Sequence, residues 1–111
     1  MSQAYHHGNL HEALVEAALA ATDKDGAVPS LRAVANLAGV SHNAPYRHFK
    51  NHQDLLGHVA ARCFAGLSEA ISAATSAHDE PIERAQAGLR AYINYGLEHP
   101  VRYQLMFGDT F

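Results

Sequence analysis

The sequence predicts an all-α fold: a three-helix helix-turn-helix domain, a long connecting helix, and the start of a helical C-terminal domain. Three observations predict it. Apolar residues recur at three- and four-residue spacing along almost the whole chain. Alanine dominates, and the β-branched residues are scattered rather than alternating. Cap-type residues, glycines and prolines then cut the pattern into helix-sized pieces. The chain has 111 residues, one domain's worth or one domain with part of another, and 48% of them are hydrophobic, enough for a packed core. The expected division is 1–50, 51–77 and 78–111.

The first helix has Asn9 as its N-cap and a stripe of Leu10, Leu14, Ala17, Ala18 and Ala21, and it stops at Gly26. The second starts after Pro29, with Ser30 as cap and Leu31, Val34, Ala35 and Ala38 as its inward face. Gly39 ends it where a tight turn needs positive φ; Val40 follows as a buried turn residue. Ser41 then caps a short third helix, roughly His42 to Phe49, with Pro45 in its first turn, where proline is tolerated. Asn51 and Asp54 resemble a capping box with shorter side chains. They open a fourth helix that runs to about Ala77 with Leu56, Val59, Ala60, Cys63, Leu67 and Ile71 on one face. Pro81 starts a fifth, with Ile82, Ala85, Leu89, Tyr92, Ile93 and Gly96 on one face. His99-Pro100 ends it, and Val101 to Phe107 begins a sixth.

Function concentrates between Leu31 and Phe49. A glycine-containing turn of a few residues lets the second helix of such a pair project steeply, so that it can enter a DNA major groove while the first braces across the backbone. At the start of the projecting helix, His42 and Asn43 suit base edges, since asparagine can bond bidentately to adenine and histidine can donate to guanine acceptors. Ala44 is placed to touch a thymine methyl. Tyr46, Arg47, His48 and Lys50 offer donors to phosphates, which set register without reading sequence. Helix-glycine-helix spacing also occurs in plain bundles, so geometry leaves DNA binding and simple packing both open.

The run Ser30-Leu31-Arg32-Ala33-Val34-Ala35, then Ala38-Gly39-Val40-Ser41, Tyr46-Arg47-His48-Phe49 and Asp54-Leu55-Leu56 resembles the DNA-binding domain of TetR/AcrR-family bacterial transcriptional regulators. The likeness covers Leu10 to about Leu67. Tyr5 to Leu10 and His99 to Gly108 resemble a subgroup with a C-terminal domain called WHG. The resemblance implies that Arg32 reaches a base or phosphate and that His42, Asn43 and Ala44 face base edges. It further implies that Tyr46 and His48 hold phosphates, with another at the N-terminus of the fourth helix near Asn51 and His52. Ser30 and Ser41, at the two helix starts, complete the expected DNA-facing set. His52 stands where the family usually has lysine, so a titratable group replaces a permanent cation. The resemblance also implies a ligand-responsive repressor that binds a double-stranded operator as a homodimer and is released by a small-molecule effector. Tyr92, Tyr95, Tyr103 and Met106, with Phe107 nearby, then either line a ligand cavity or pack as ordinary core. Family members run longer and dimerise through late helices. The chain stops at Phe111, short of the dimer helices and most of the ligand pocket that this likeness implies.

Other residues narrow the alternatives. A single cysteine excludes an internal disulfide framework and fits a reducing compartment, and Cys63 lies on an apolar stripe as a buried, inert thiol. No apolar run reaches membrane-spanning length, and Tyr5-His6-His7-Gly8 does not read as a signal peptide, so a cytoplasmic protein is expected. No nucleophile-base arrangement, glycine-rich phosphate loop or paired carboxylates point to an enzyme, and no cofactor is expected. His7 with His11, and His48 with His52, have the four-residue spacing of metal-binding pairs, but nothing completes either set. No metal site is therefore expected, and His6 and His7 read as a polar N-terminal arm. The two rival readings are a helical protein-interaction module and a histidine-based metal sensor. The formal net charge of −3 argues against a simple polycation. Yet seven of the nine histidines lie in the first 58 residues, beside four basic and five acidic side chains, so the charge of that region is tunable near neutral pH.

Overall fold

The computed structural model describes residues 6–108, with side chains from Asn9 onward. The described residues contain five α-helices and no strand, so the fold is all-α. In order they are α1 (His6–Asp25), α2 (Leu31–Ala38), a 3-10 turn (Ala44–Arg47), α3 (His52–Ser76), α4 (Pro81–Glu98) and α5 (Pro100–Phe107). The expected arm at His6 and His7 has a helical backbone from His6 on; its side chains lie outside those described, as does Tyr5. Among the described residues no helix is long and apolar enough to cross a membrane. The chain forms two compact units, Met1–Val59 and Ala60–Phe111.

In the first unit α1 packs on α2, and α2 on the 3-10 turn. Asn9 takes non-helical angles (φ −125°, ψ 27°) inside α1, so a kink lies where the sequence places the start of the first helix. The buried face is Leu14, Val15, Ala18, Leu19 and Thr22. It is rotated from the expected stripe: Ala17 and Ala21 are only partly covered, while the larger Val15 and Leu19 take the core. Burying the bulkier groups removes more apolar area from water. Thr22 enters this core because its hydroxyl donates to the Ala18 carbonyl at 2.7 Å. In α2 all four expected residues, Leu31, Val34, Ala35 and Ala38, are buried. Phe49 and Leu55 complete the unit's core.

The second unit contains the rest of α3 with α4 and α5. Cys63 is buried as a free thiol, and Leu67 is buried on the same stripe. On the apolar face of α4, Ile82, Leu89 and Ile93 are 70%, 62% and 47% exposed and Leu97 is 75% exposed, while Tyr92 and Gly96 are half-buried. Ala87 and Tyr95 face inward. Small residues explain the choice, because they let two backbones approach closely. A Cβ added to Gly88 would lie 3.1 Å from the Thr75 methyl, and one on Gly66 would lie 2.8 Å from the Tyr95 hydroxyl. α5 spans the segment expected to start a sixth helix and buries Leu105 and Met106.

Candidate nucleic-acid interface

The candidate surface is built between the start of α2 and the start of α3. Ser30 is extended (φ −66°, ψ 161°), and its hydroxyl accepts the Ala33 N–H at 3.1 Å, which caps α2. At the other end Gly39 is left-handed, φ 73°. Its N–H reaches the Asn36 carbonyl at 3.2 Å, and the Val40 N–H reaches Ala35 at 3.0 Å. This pair of bonds is a Schellman motif, and it turns the chain sharply away from α2.

The segment that follows is not the expected α-helix from His42 to Phe49. Residues 42 and 43 form a turn, and only Ala44–Arg47 are helical, as a 3-10 turn. Proline explains the difference. An α-helix capped at Ser41 needs the N–H of residue 45 on the Ser41 carbonyl, and Pro45 has none. The Ala44 N–H takes that carbonyl instead at 3.1 Å, and the Tyr46 N–H takes Asn43 at 3.2 Å. Both are the shorter i→i+3 bonds of a 3-10 helix. Ser41 therefore supports the turn through its backbone carbonyl, and no side-chain cap bond is made at the start of the turn. The His48 and Phe49 N–H groups both converge on the Pro45 carbonyl, at 3.0 and 2.9 Å.

Most of the expected DNA-facing residues are exposed. Ser30, Arg32, Ser41, His42, Asn43, Arg47, Lys50 and His52 are exposed, and Tyr46 is 58% exposed with its ring outward. Ala44 is 4% exposed and belongs to the core, so its methyl is not presented to a thymine as expected. His42 is tied back to α2, its Nε2 lying 3.0 Å from the Asn36 side-chain oxygen. The imidazole of His52 spans the Val28 and Pro29 carbonyls at 3.3 and 3.1 Å, so its Nε2–H braces the loop before α2. Ser30, Leu31, Arg32, Tyr46, Lys50, Asn51 and His52 line an open recess of 310 Å³. Two cations, a phenol and the start of α3 thus surround one small concavity, and these groups are the ones that donate to a phosphate. Asp54 places a carboxylate in the same first helical turn.

His48 is placed differently. It is partly buried, with its ring 5.6 Å from that of His11 in an edge-on arrangement. Burial, then the neighbouring His11, then Arg47, hold its pKa below the usual histidine value. Sequence spacing paired His48 with His52, but the fold places it beside His11 of α1, whose ring in turn lies 4.8 Å from that of His58. His11 and His58 are 47 positions apart, and no local pattern joins them. Among the described residues no group of three or more His, Cys, Asp or Glu side chains has the geometry to hold a metal ion.

In the second unit, the Tyr95 hydroxyl donates to the Cys63 carbonyl at 3.1 Å and accepts from Arg102 at 2.9 Å. Tyr95 and Met106 are buried. The Tyr92 and Tyr103 hydroxyls are 3.4 Å apart, and this hydrogen bond raises the pKa of Tyr92. Tyr103 also stacks at an angle on Phe107, ring centres 4.9 Å apart. An open recess of 380 Å³ in this unit is lined by α3 residues, among them Phe64, Leu67, Ile71 and Thr75. No protein-family model, curated protein or solved structure matches this chain.

Proposed function

We propose that the chain is a sequence-specific DNA-binding transcriptional regulator, a ligand-responsive repressor of the TetR/AcrR type that acts in the cytoplasm. The observation that supports this reading is the exposed edge where Arg32, Tyr46 and Lys50 border the recess at the start of α3. His42 and Asn43 are exposed on the turn that precedes Tyr46. The three donors hold the phosphate backbone, and the turn residues address base edges. The net charge of −3 supplies no long-range attraction, so affinity depends on this local patch. Operator recognition uses two such edges in a homodimer, and a small molecule bound in the helical second unit shifts the balance toward a state that no longer fits DNA.

Gel retention of a promoter fragment from beside the protein's own gene tests this. Asn43→Ala is expected to weaken binding about tenfold and relax base preference, which corresponds to one lost bidentate contact. Tyr46→Phe weakens binding evenly across sequences. Retention unchanged by both substitutions overturns the reading.

One observation favours a second reading, a helical protein-interaction module. The outward face of α4 carries Ile82, Leu89, Ile93 and Leu97, and exposed apolar patches mark contact surfaces. Under that reading Asn43→Ala is silent, and Leu89→Gln abolishes association with the partner.

A further inference from the structure

Three histidine rings from three separate segments enclose one buried phenylalanine. His11 comes from α1, His48 follows the 3-10 turn, and His58 lies on α3. Their ring centres stand 5.1, 6.3 and 5.2 Å from that of Phe49. His11 is 5.6 Å from His48 and 4.8 Å from His58, both edge-on. The charged neighbours are unevenly shared. Glu12 stands 3.9 Å from His11, and Asp54 stands 3.7 Å from His58. His48 has Arg47 beside it instead, and Arg62 follows His58 by one turn of α3.

We propose that this cluster is a proton-sensitive latch on the 3-10 turn. Neutral rings pack around Phe49 and hold the turn in place; protonated rings repel one another and release it. The geometry carries the argument. Uncharged imidazoles at 4.8–5.6 Å make edge-to-face contacts of the kind aromatic rings favour. The same rings carrying one positive charge each stand well inside a Debye length, in a partly buried site that screens poorly. Carboxylates offset that repulsion at His11 and His58, whereas at His48 Arg47 adds to it. The strain therefore falls on His48, whose N–H shares the Pro45 carbonyl with that of Phe49 and so closes the turn. The lowered pKa of His48 has the same sign: burial contributes most, and His11 and Arg47 add to it.

The latch acts on the turn that the proposed function assigns to DNA, and its regulatory meaning rests on that reading. Its existence does not, and the test separates the two. Amide hydrogen exchange of Tyr46, His48 and Phe49 is measured on the whole chain at pH 7.5 and 5.5 and corrected for intrinsic rates. Protection of these amides is expected to drop about fivefold at pH 5.5, while the amides of Ala91 and Asn94 in α4 keep theirs. His11→Gln and His58→Gln each shrink the drop, and His48→Gln removes it. Any one folded variant among the three suffices for the comparison. Turn protection that is flat with pH, or a drop that persists in the folded variants, overturns the latch. If retention of promoter DNA is found while turn protection stays flat, the latch alone falls. A pH-dependent turn in a chain that binds no DNA sustains the latch and removes the DNA reading.

Discussion

The carboxylate of Asp54 accepts the backbone N–H of Lys50 at 2.9 Å, while the Asp54 N–H donates to the Asn51 side chain at the same distance. The reciprocal bonds of a capping box are present, but the returning one lands one residue before the cap. This bond fastens the end of the DNA-facing segment to the start of α3. Asp54→Ala is expected to cost about 1 kcal/mol, as the loss of a helix cap does, and Asn51→Ala a similar amount. Urea unfolding followed by circular dichroism reads both. A double variant that costs no more than either single one would show that the two bonds act as a unit.

Gly39 and Gly57 predict opposite responses to the same substitution. A Cβ at either position meets nothing within 4 Å, so packing does not distinguish them. Backbone does: Gly39 has φ 73°, whereas Gly57 lies within α3 without a positive φ. Gly39→Ala is expected to destabilise by about 1 kcal/mol, and Gly57→Ala to stabilise by about 0.5–1 kcal/mol. For a chain of this size each shifts the thermal midpoint by a few degrees, in opposite directions. Two shifts of the same sign would contradict the left-handed turn at Gly39.

Much of the first unit was legible because its signals are local. The Ser30 cap, the α2 stripe and the positive φ of Gly39 each depend on a few neighbouring residues. The third helix misread because a single backbone bond, the one Pro45 cannot make, outweighs a helical side-chain pattern. The exposure of the α4 face was not legible for a different reason. Periodicity shows that Ile82, Leu89 and Ile93 share a face, but not whether a neighbour covers it. The close approach at Gly66 and Gly88 decided which side turned inward. The histidine cluster was invisible because it joins residues 11, 48 and 58 through the packing of Phe49. Cationic and polar side chains on the candidate interface were legible as types. Which of them face outward required the fold, as the burial of Ala44 shows.

Tyr95 and Gly66 are coupled. The Tyr95 hydroxyl is buried, bonded to Cys63 and Arg102, and placed 2.8 Å from where a Gly66 Cβ would be. Tyr95→Phe is expected to cost about 1 kcal/mol, because it removes the hydroxyl's bonds to the Cys63 carbonyl and to Arg102. Gly66→Ala is expected to cost about 1–3 kcal/mol, as overpacking does, since the hydroxyl cannot retreat without breaking its bonds. In the Tyr95→Phe background the clash is gone, so Gly66→Ala becomes cheaper. The coupling energy from a double-mutant cycle checks this, and strict additivity would refute it.

Stability should fall on mild acidification, and the sign follows from His48. Its pKa is lowered in the folded chain, so the unfolded chain binds that proton more readily. Just below the ordinary histidine value of about 6.5, the unfolded state holds more protons, and stability rises with pH. The contribution is fully present at neutral pH and is lost as the pH drops through the lowered value. Urea midpoints between pH 7.5 and 5.5 are expected to decline less steeply in His48→Gln than in the parent. Parallel slopes would show that His48 does not carry the effect.

Salt and charge substitutions distinguish the roles of the cations on the proposed interface. Arg32 and Lys50 border the recess, and Arg47 lies on the exposed turn. Each phosphate neutralised releases counterions and contributes about −0.9 to the slope of log affinity against log salt. With three cations engaged per chain, the slope per half-site is expected near −3, and Lys50→Gln or Arg32→Gln each reduces its magnitude by about one. Neither changes base preference, because phosphate contacts carry no sequence information. Asn43→Ala should do the reverse, altering preference and leaving the slope. The substitutions thus sort by effect rather than by severity. A Lys50→Gln chain with an unaltered salt slope would move Lys50 off the phosphate backbone and leave the recess at the α3 start without its proposed role.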